Sequence, residues 1–103
     1  MKMIWTTIVG VSGTTDSSVL GEGIEAFVWM AAQASSVDEF TKRIEHTLHE
    51  LQLNLITLEE IHTAEEADET DPRSEELSEL VLRVRADEHH VAYGKFYRSI
   101  HHT

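Results

Sequence analysis

The apolar positions of this chain change period along its length, and the changes divide it into elements. Residues 2–11 are rich in Ile, Val, Thr and Trp, types that suit a pleated, half-buried surface, so the segment predicts a strand. Ser12–Glu22 is small, polar and glycine-containing, which reads as a loop, long for a hairpin. Ile24–Ala32 is then almost continuously apolar. Alternation puts Ile24, Ala26, Val28 and Met30 on one face and Phe27 and Trp29 on the other. A strand apolar on both faces belongs inside a sheet.

Ser36 next reads as a helix N-cap, with Glu39 as its capping-box partner. Val37, Phe40, Ile44, Leu48 and Leu51 follow at spacings of 3, 4, 4 and 3, a narrow stripe at about 100° per residue that marks the buried side of an amphipathic helix. Leu53–Ile61 alternates again, Leu53, Leu55 and Thr57 against Ile56 and Leu58, and predicts a third strand. His62–Asp71 shows no apolar period and reads as a solvated loop. Asp71-Pro72 opens a second helix, with proline where its missing N–H costs nothing. Leu77, Leu80, Val81 and Val84 supply the helical spacing. A rival reading takes Leu80, Leu82 and Val84 as one face of a strand; cap and period together favour the helix. Val91–Ile100, with Tyr93, Phe96 and Tyr97, predicts the last strand.

The order is thus β-β-α-β-α-β, and residues 1–103 are read as a single α+β domain. The expected architecture is a two-layer sandwich, a four-stranded mixed sheet with two helices on one face. Trp5, Phe27, Trp29, Tyr93 and Tyr97 can be placed by alternation on a common face. If the helices leave that face open, it becomes an interaction surface for a second copy or the floor of a ligand groove; if they cover it, it is core.

Charge sharpens this picture. Eight basic residues stand against nineteen acidic ones, a net −11. The excess is concentrated in residues 59–79, which carry ten acids against Arg73 alone, whereas residues 80–103 are net +2. Such a surface repels nucleic acid and anionic membrane and attracts a basic protein or a cation. The absence of cysteine excludes disulfides, thiol catalysis and cysteine-ligated zinc. No apolar run approaches the roughly 18 residues of a membrane span. The apolar stretch near the amino terminus is short and broken by Thr6 and Thr7, unlike a secretory signal, so a cytoplasmic protein is expected.

Motifs for chemistry fail on spacing or context. Glu45-His46-x-x-His49-Glu50 places its histidines three apart, where the zinc-protease pattern needs four. His46 and His49 remain weak metal candidates on the water-facing flank of the first helix. Gly21-x-Gly23-x-x-Ala26 opens a strand, not the helix a dinucleotide fingerprint requires, and Gly10-Val11-Ser12-Gly13 lacks the spacing of a nucleophile elbow. The Ser12–Ser18 loop has no P-loop lysine and includes Asp16. In Tyr93-Gly94-Lys95-Phe96 a lysine stands where RNA-recognition strands carry an aromatic. Neither cofactor nor catalytic set is assigned; His62 is a weak general acid–base candidate.

The leading expectation is a non-enzymatic interaction module, an acidic adaptor or inhibitor of a more basic partner, itself a homodimer. Glu65, Glu66, Asp68 and Glu69 would steer that partner, and Trp29, Tyr93 and Tyr97 would anchor it. The alternative is a small enzyme or ligand-binding domain with its pocket on the aromatic open face.

Overall fold

A computed structural model describes residues 2–64 and 75–98 of the chain. Its strands are β1 (Met3–Gly13), β2 (Glu25–Ala34), β3 (Leu53–Thr63), β4 (Val91–Tyr93) and β5 (Tyr97–Arg98), and its helices are α1 (Val37–Glu50) and α2 (Glu75–Ala86). The class is α+β in the order β-β-α-β-α-β, because β4 and β5 are two pieces of one edge strand. Both pair with β2, and the sheet runs β3-β1-β2-β4. All strand pairings are antiparallel, so the expected mixed sheet is corrected, although β2 and β3, each antiparallel to β1, run in the same direction. Residues 77–86 are helical, as the period of Leu77, Leu80 and Val84 indicated.

The two helices do not share a face. Register pairs Trp5 with Ala32, Thr7 with Met30, Val9 with Val28 and Val11 with Ala26, so these residues occupy one side of the sheet. Phe40, Ile44 and Leu48 of α1 pack there, together with Leu53. Leu77, Leu80 and Val84 of α2 pack on the other side, against Ala31 and Ala92, with Ile4 and Trp29 at the margin. The molecule is therefore helix–sheet–helix, not a two-layer sandwich. The physical reason lies in β2, whose Ala31 and Ala32 are both fully buried although they point in opposite directions. Apolar residues on both sides of a strand require cover on both sides.

The first helix is capped nearly as its sequence indicates. Ser36 Oγ accepts from the Glu39 N–H at 3.2 Å. The Glu39 carboxylate reaches one residue further back than expected, accepting from the Ser35 hydroxyl at 2.5 Å and the Ser35 N–H at 3.3 Å. These donors hold the Glu39 carboxyl below its ordinary pKa. Their stabilising contribution is present at neutral pH and is lost as pH falls through that lowered value. Val37 and Leu51, the ends of the predicted stripe, lie outside the buried set.

The third strand extends to Thr63, so His62 and Thr63 belong to the sheet and not to a loop. Ile56 interrupts its pairing with β1, because Leu55 faces Val11 while Thr57 faces Gly10. This bulge reverses the alternation and puts Leu55 and Leu58 on the same side, which simple alternation had separated. A second bulge gives β3 two residues, Glu60 and Ile61, opposite Thr7. Glu60 takes a positive φ of 50°, and the Thr7 hydroxyl donates to the Glu59 carbonyl at 2.7 Å where the ladder lapses. Glu59 and His62, which strict alternation would put on opposite faces, consequently pair with Ile8 and Thr6 on the same one.

Phe40 is fully buried and stacks on Trp5 with ring centroids 6.2 Å apart, whereas Val37 is 43% exposed. Phe40→Ala should therefore cost about 3–5 kcal/mol of stability in urea unfolding. Val37→Ala should stay within about 0.5 kcal/mol, although the two residues look equivalent in the sequence stripe.

Candidate functional site

The aromatic residues proposed to share a face are divided by the register. Trp5 lies on the α1 side, and Tyr93, opposite Met30, is registered there too. Phe27 and Trp29 lie on the α2 side, and Tyr97, opposite Phe27, joins them. No common aromatic face forms. Trp29 is half-buried at the margin of the α2 core. Phe27, Tyr93 and Tyr97 are 40%, 36% and 51% exposed, and they cluster along the edge that β4 and β5 form on β2.

Phe27 has a structural duty there. It lies opposite Gly10, where a Cβ would meet Thr57 Oγ1 at 2.7 Å and the Phe27 ring at 3.5 Å. The ring thus shields a stretch of backbone that has no side chain of its own.

Where the edge strand breaks, it meets the first turn of α2. The Gly94 N–H donates to the Trp29 carbonyl at 3.0 Å, carrying the pairing one residue beyond β4. A methyl at Gly94 would collide with the Glu76 carboxylate, so glycine leaves room for that side chain in its present position. Glu76 Oε2 accepts from the Tyr97 hydroxyl at 2.6 Å, and Glu76 Oε1 is buried without a hydrogen-bond partner. The bond to Glu76, aided by partial desolvation and the adjacent negative charge, raises the Tyr97 pKa above the ordinary tyrosine value.

Glu76 and Gly94 line a groove of about 340 Å³ whose walls also include Glu75, Glu79, Arg83, Tyr93 and Lys95, and Tyr97 reaches it through its bond to Glu76. The carboxylates follow the helix N-terminus, where the dipole favours them. Arg83 and Lys95 balance part of their charge. Chemically the groove offers an acceptor lacking a donor, a phenol and exposed rings. It contains no nucleophile–base pair.

A larger cavity of about 810 Å³ lies between α1 and the turn before β4, with Asp38, Lys42, Arg43, His46, His89 and His90 in its lining. Its polar groups largely satisfy one another. His46 Nε2 lies 2.6 Å from Glu50, and Arg43 donates to the carbonyls of Gln33 and Glu88. His46 and His49 are exposed on α1. Among the described residues, no cluster of three or more ligating side chains could hold a metal ion. His62 is half-buried, with its carbonyl accepting from the Thr6 hydroxyl at 3.4 Å.

Glu65, Glu66, Asp68 and Glu69 lie outside the described residues, as does Asp71-Pro72, the expected start of the second helix. Sequence reasoning passed over Glu76 and Gly94. Gly94 carried a readable signal, a glycine interrupting an aromatic strand pattern. Glu76 carried none, being one acid among many. No helix among the described residues is long and apolar enough to cross a membrane. Comparison with protein-family models, with curated proteins and with solved structures finds no match to this chain.

The Tyr97–Glu76 contact is open to measurement. Glu76→Gln should bring the Tyr97 titration, assigned by difference from Tyr97→Phe, down toward that of an ordinary tyrosine. The sign for stability follows from the raised pKa. The contribution of the contact is complete below the pKa of an unfolded tyrosine and is lost as pH rises through the folded value. An unchanged titration in Glu76→Gln would refute the assignment.

Proposed function

We propose that this protein is a non-enzymatic interaction module, a cytoplasmic homodimer that acts as an adaptor or inhibitor of a more basic protein. The groove between α2 and the broken edge strand is its recognition site. The observation that carries this reading is the buried Glu76 Oε1, which accepts no hydrogen bond and sits beside the exposed ring of Tyr97. A buried acceptor without a donor is costly, and an incoming lysine or arginine relieves that cost. The same cation can lie on the Tyr97 face. A partner's basic side chain therefore matches both Glu76 and the ring beside it.

The net −11 supports the same partner class by steering its approach, an effect expressed in association rate more than in affinity. Glu65, Glu66, Asp68 and Glu69 supply the steering field in this proposal. Tyr97 and Tyr93 anchor the contact at the edge, with Trp29 supporting it from beneath α2.

The test is retention of proteins from the source lysate on the tagged chain at low and high salt. It is repeated with Glu76→Gln and with Glu65→Lys combined with Glu66→Lys. The expected result is a basic protein held at low salt and released at high salt. Glu76→Gln should weaken it about tenfold, the effect of losing a single charge-assisted contact. The reversal variant should chiefly slow its association. Retention that ignores both salt and these substitutions would overturn the proposal.

A further inference from the structure

The sheet has two edges, and the fold treats them differently. The β4/β5 edge consists of a three-residue and a two-residue strand with Gly94–Phe96 between them, and it carries Lys95 and Arg98. Shortness, interruption and basic side chains are the usual means of keeping an edge from pairing with another chain.

The β3 edge has few of these protections. It is eleven residues long and contains neither proline, lysine nor arginine. Leu53–Leu58 is six consecutive uncharged residues, within which Leu55 is 37% and Ile56 47% exposed. Among the described residues no strand pairs with its outer side. Two bulges bend the strand, at Ile56 and at Glu60–Ile61. Its carboxylates, Glu59 and Glu60, are confined to the second half.

We propose that β3 is the seam of the homodimer, with Leu53–Leu58 of two copies pairing antiparallel across a twofold axis to join two sheets into one. This rests on the homodimeric part of the function proposed above and names its surface. The charge pattern selects the occupant and the direction. A basic partner finds no charge to answer in Leu53–Leu58, whereas a second copy brings the same uncharged edge. A closed dimer requires an isologous contact, which for a strand edge is antiparallel. That direction sends Glu59 and Glu60 of each copy toward the Leu53–Asn54 end of the other. A parallel pairing would set like charges opposite one another, which is destabilising. Main-chain hydrogen bonds hold the seam, and the exposed Leu55 and Ile56 lose their contact with water in it.

The experiment is sedimentation equilibrium over a dilution series for the wild-type chain, for Leu55→Lys with Ile56→Lys, and for Leu82→Lys as a control. Leu82 is 60% exposed on α2, far from the seam in the sheet order. Each lysine reduces the net negative charge, so the only repulsion the double variant adds is between lysines facing each other across the seam itself. The expected result is twice the chain mass for the wild type and the control, and the single mass for the double variant with unchanged circular dichroism. Amide exchange of Leu53–Leu58 in the wild-type chain should also slow as concentration rises, a readout independent of how the variants fold. A wild-type chain that remains single at every concentration would remove the homodimer altogether. A dimer that persists in the double variant, with no concentration dependence in the β3 amides, would sink the seam while leaving self-association standing.

Discussion

The architecture depends on one strand being covered from both sides. β2 lies between β1 and the β4/β5 edge, and its residues alternate between two separate cores. Ala26, Val28, Met30, Ala32 and Ala34 meet α1, while Ala31 meets α2 with Trp29 at the margin. The alanines let both helices approach the sheet closely. At the far end of β2 the layers are tied directly. The Gln33 side chain donates to the Val84 carbonyl of α2 at 2.7 Å, while its own carbonyl accepts from Arg43 of α1. One residue thus satisfies a carbonyl in the last turn of one helix and receives a cation from the other.

Much of the element order is legible in the sequence because caps and periods agree. Ser36 and the spacing of Phe40, Ile44 and Leu48 specify α1, and Leu77, Leu80 and Val84 specify α2. The side each helix covers is a different kind of information. β2 and β3 run in the same direction with α1 between them, and such crossovers are almost always right-handed, so strand order would have fixed the face of α1. The strands that flank α2 run in opposite directions, and no rule of handedness applies. Only the apolarity of both faces of β2 hinted at cover on both, and that hint was read as centrality alone.

Two local devices hid the rest. The bulge at Ile56 shifts alternation by one residue, which a period of two cannot anticipate, and the second bulge at Glu60–Ile61 puts Glu59 and His62 on one face where strict alternation separates them. The contact of Glu76 with Tyr97 joins residues 21 positions apart through a helix start and a strand break. Neither partner is distinctive in sequence, and Gly94, which leaves room for the Glu76 side chain, has meaning only once the helix lies over it. The common aromatic face failed for the same reason, since it required registers that single-strand patterns do not contain.

Two cores on opposite sides of one sheet need not share a fate. Among the described residues, the α1 core unites eleven buried residues from β1, β2, α1 and β3, whereas the α2 core has five, two of them alanines. Free energy of opening follows the apolar surface held in each unit. The α2 layer is thus the part that can lift away while the three-stranded sheet and α1 stay folded. In that partly open form the edge strand loses Glu76, Tyr97 is released, and Ala31 and Trp29 of β2 meet water. The amides of α2 would then exchange ahead of those of β1, and exchange of both sets at one common rate would show the chain to open only as a whole.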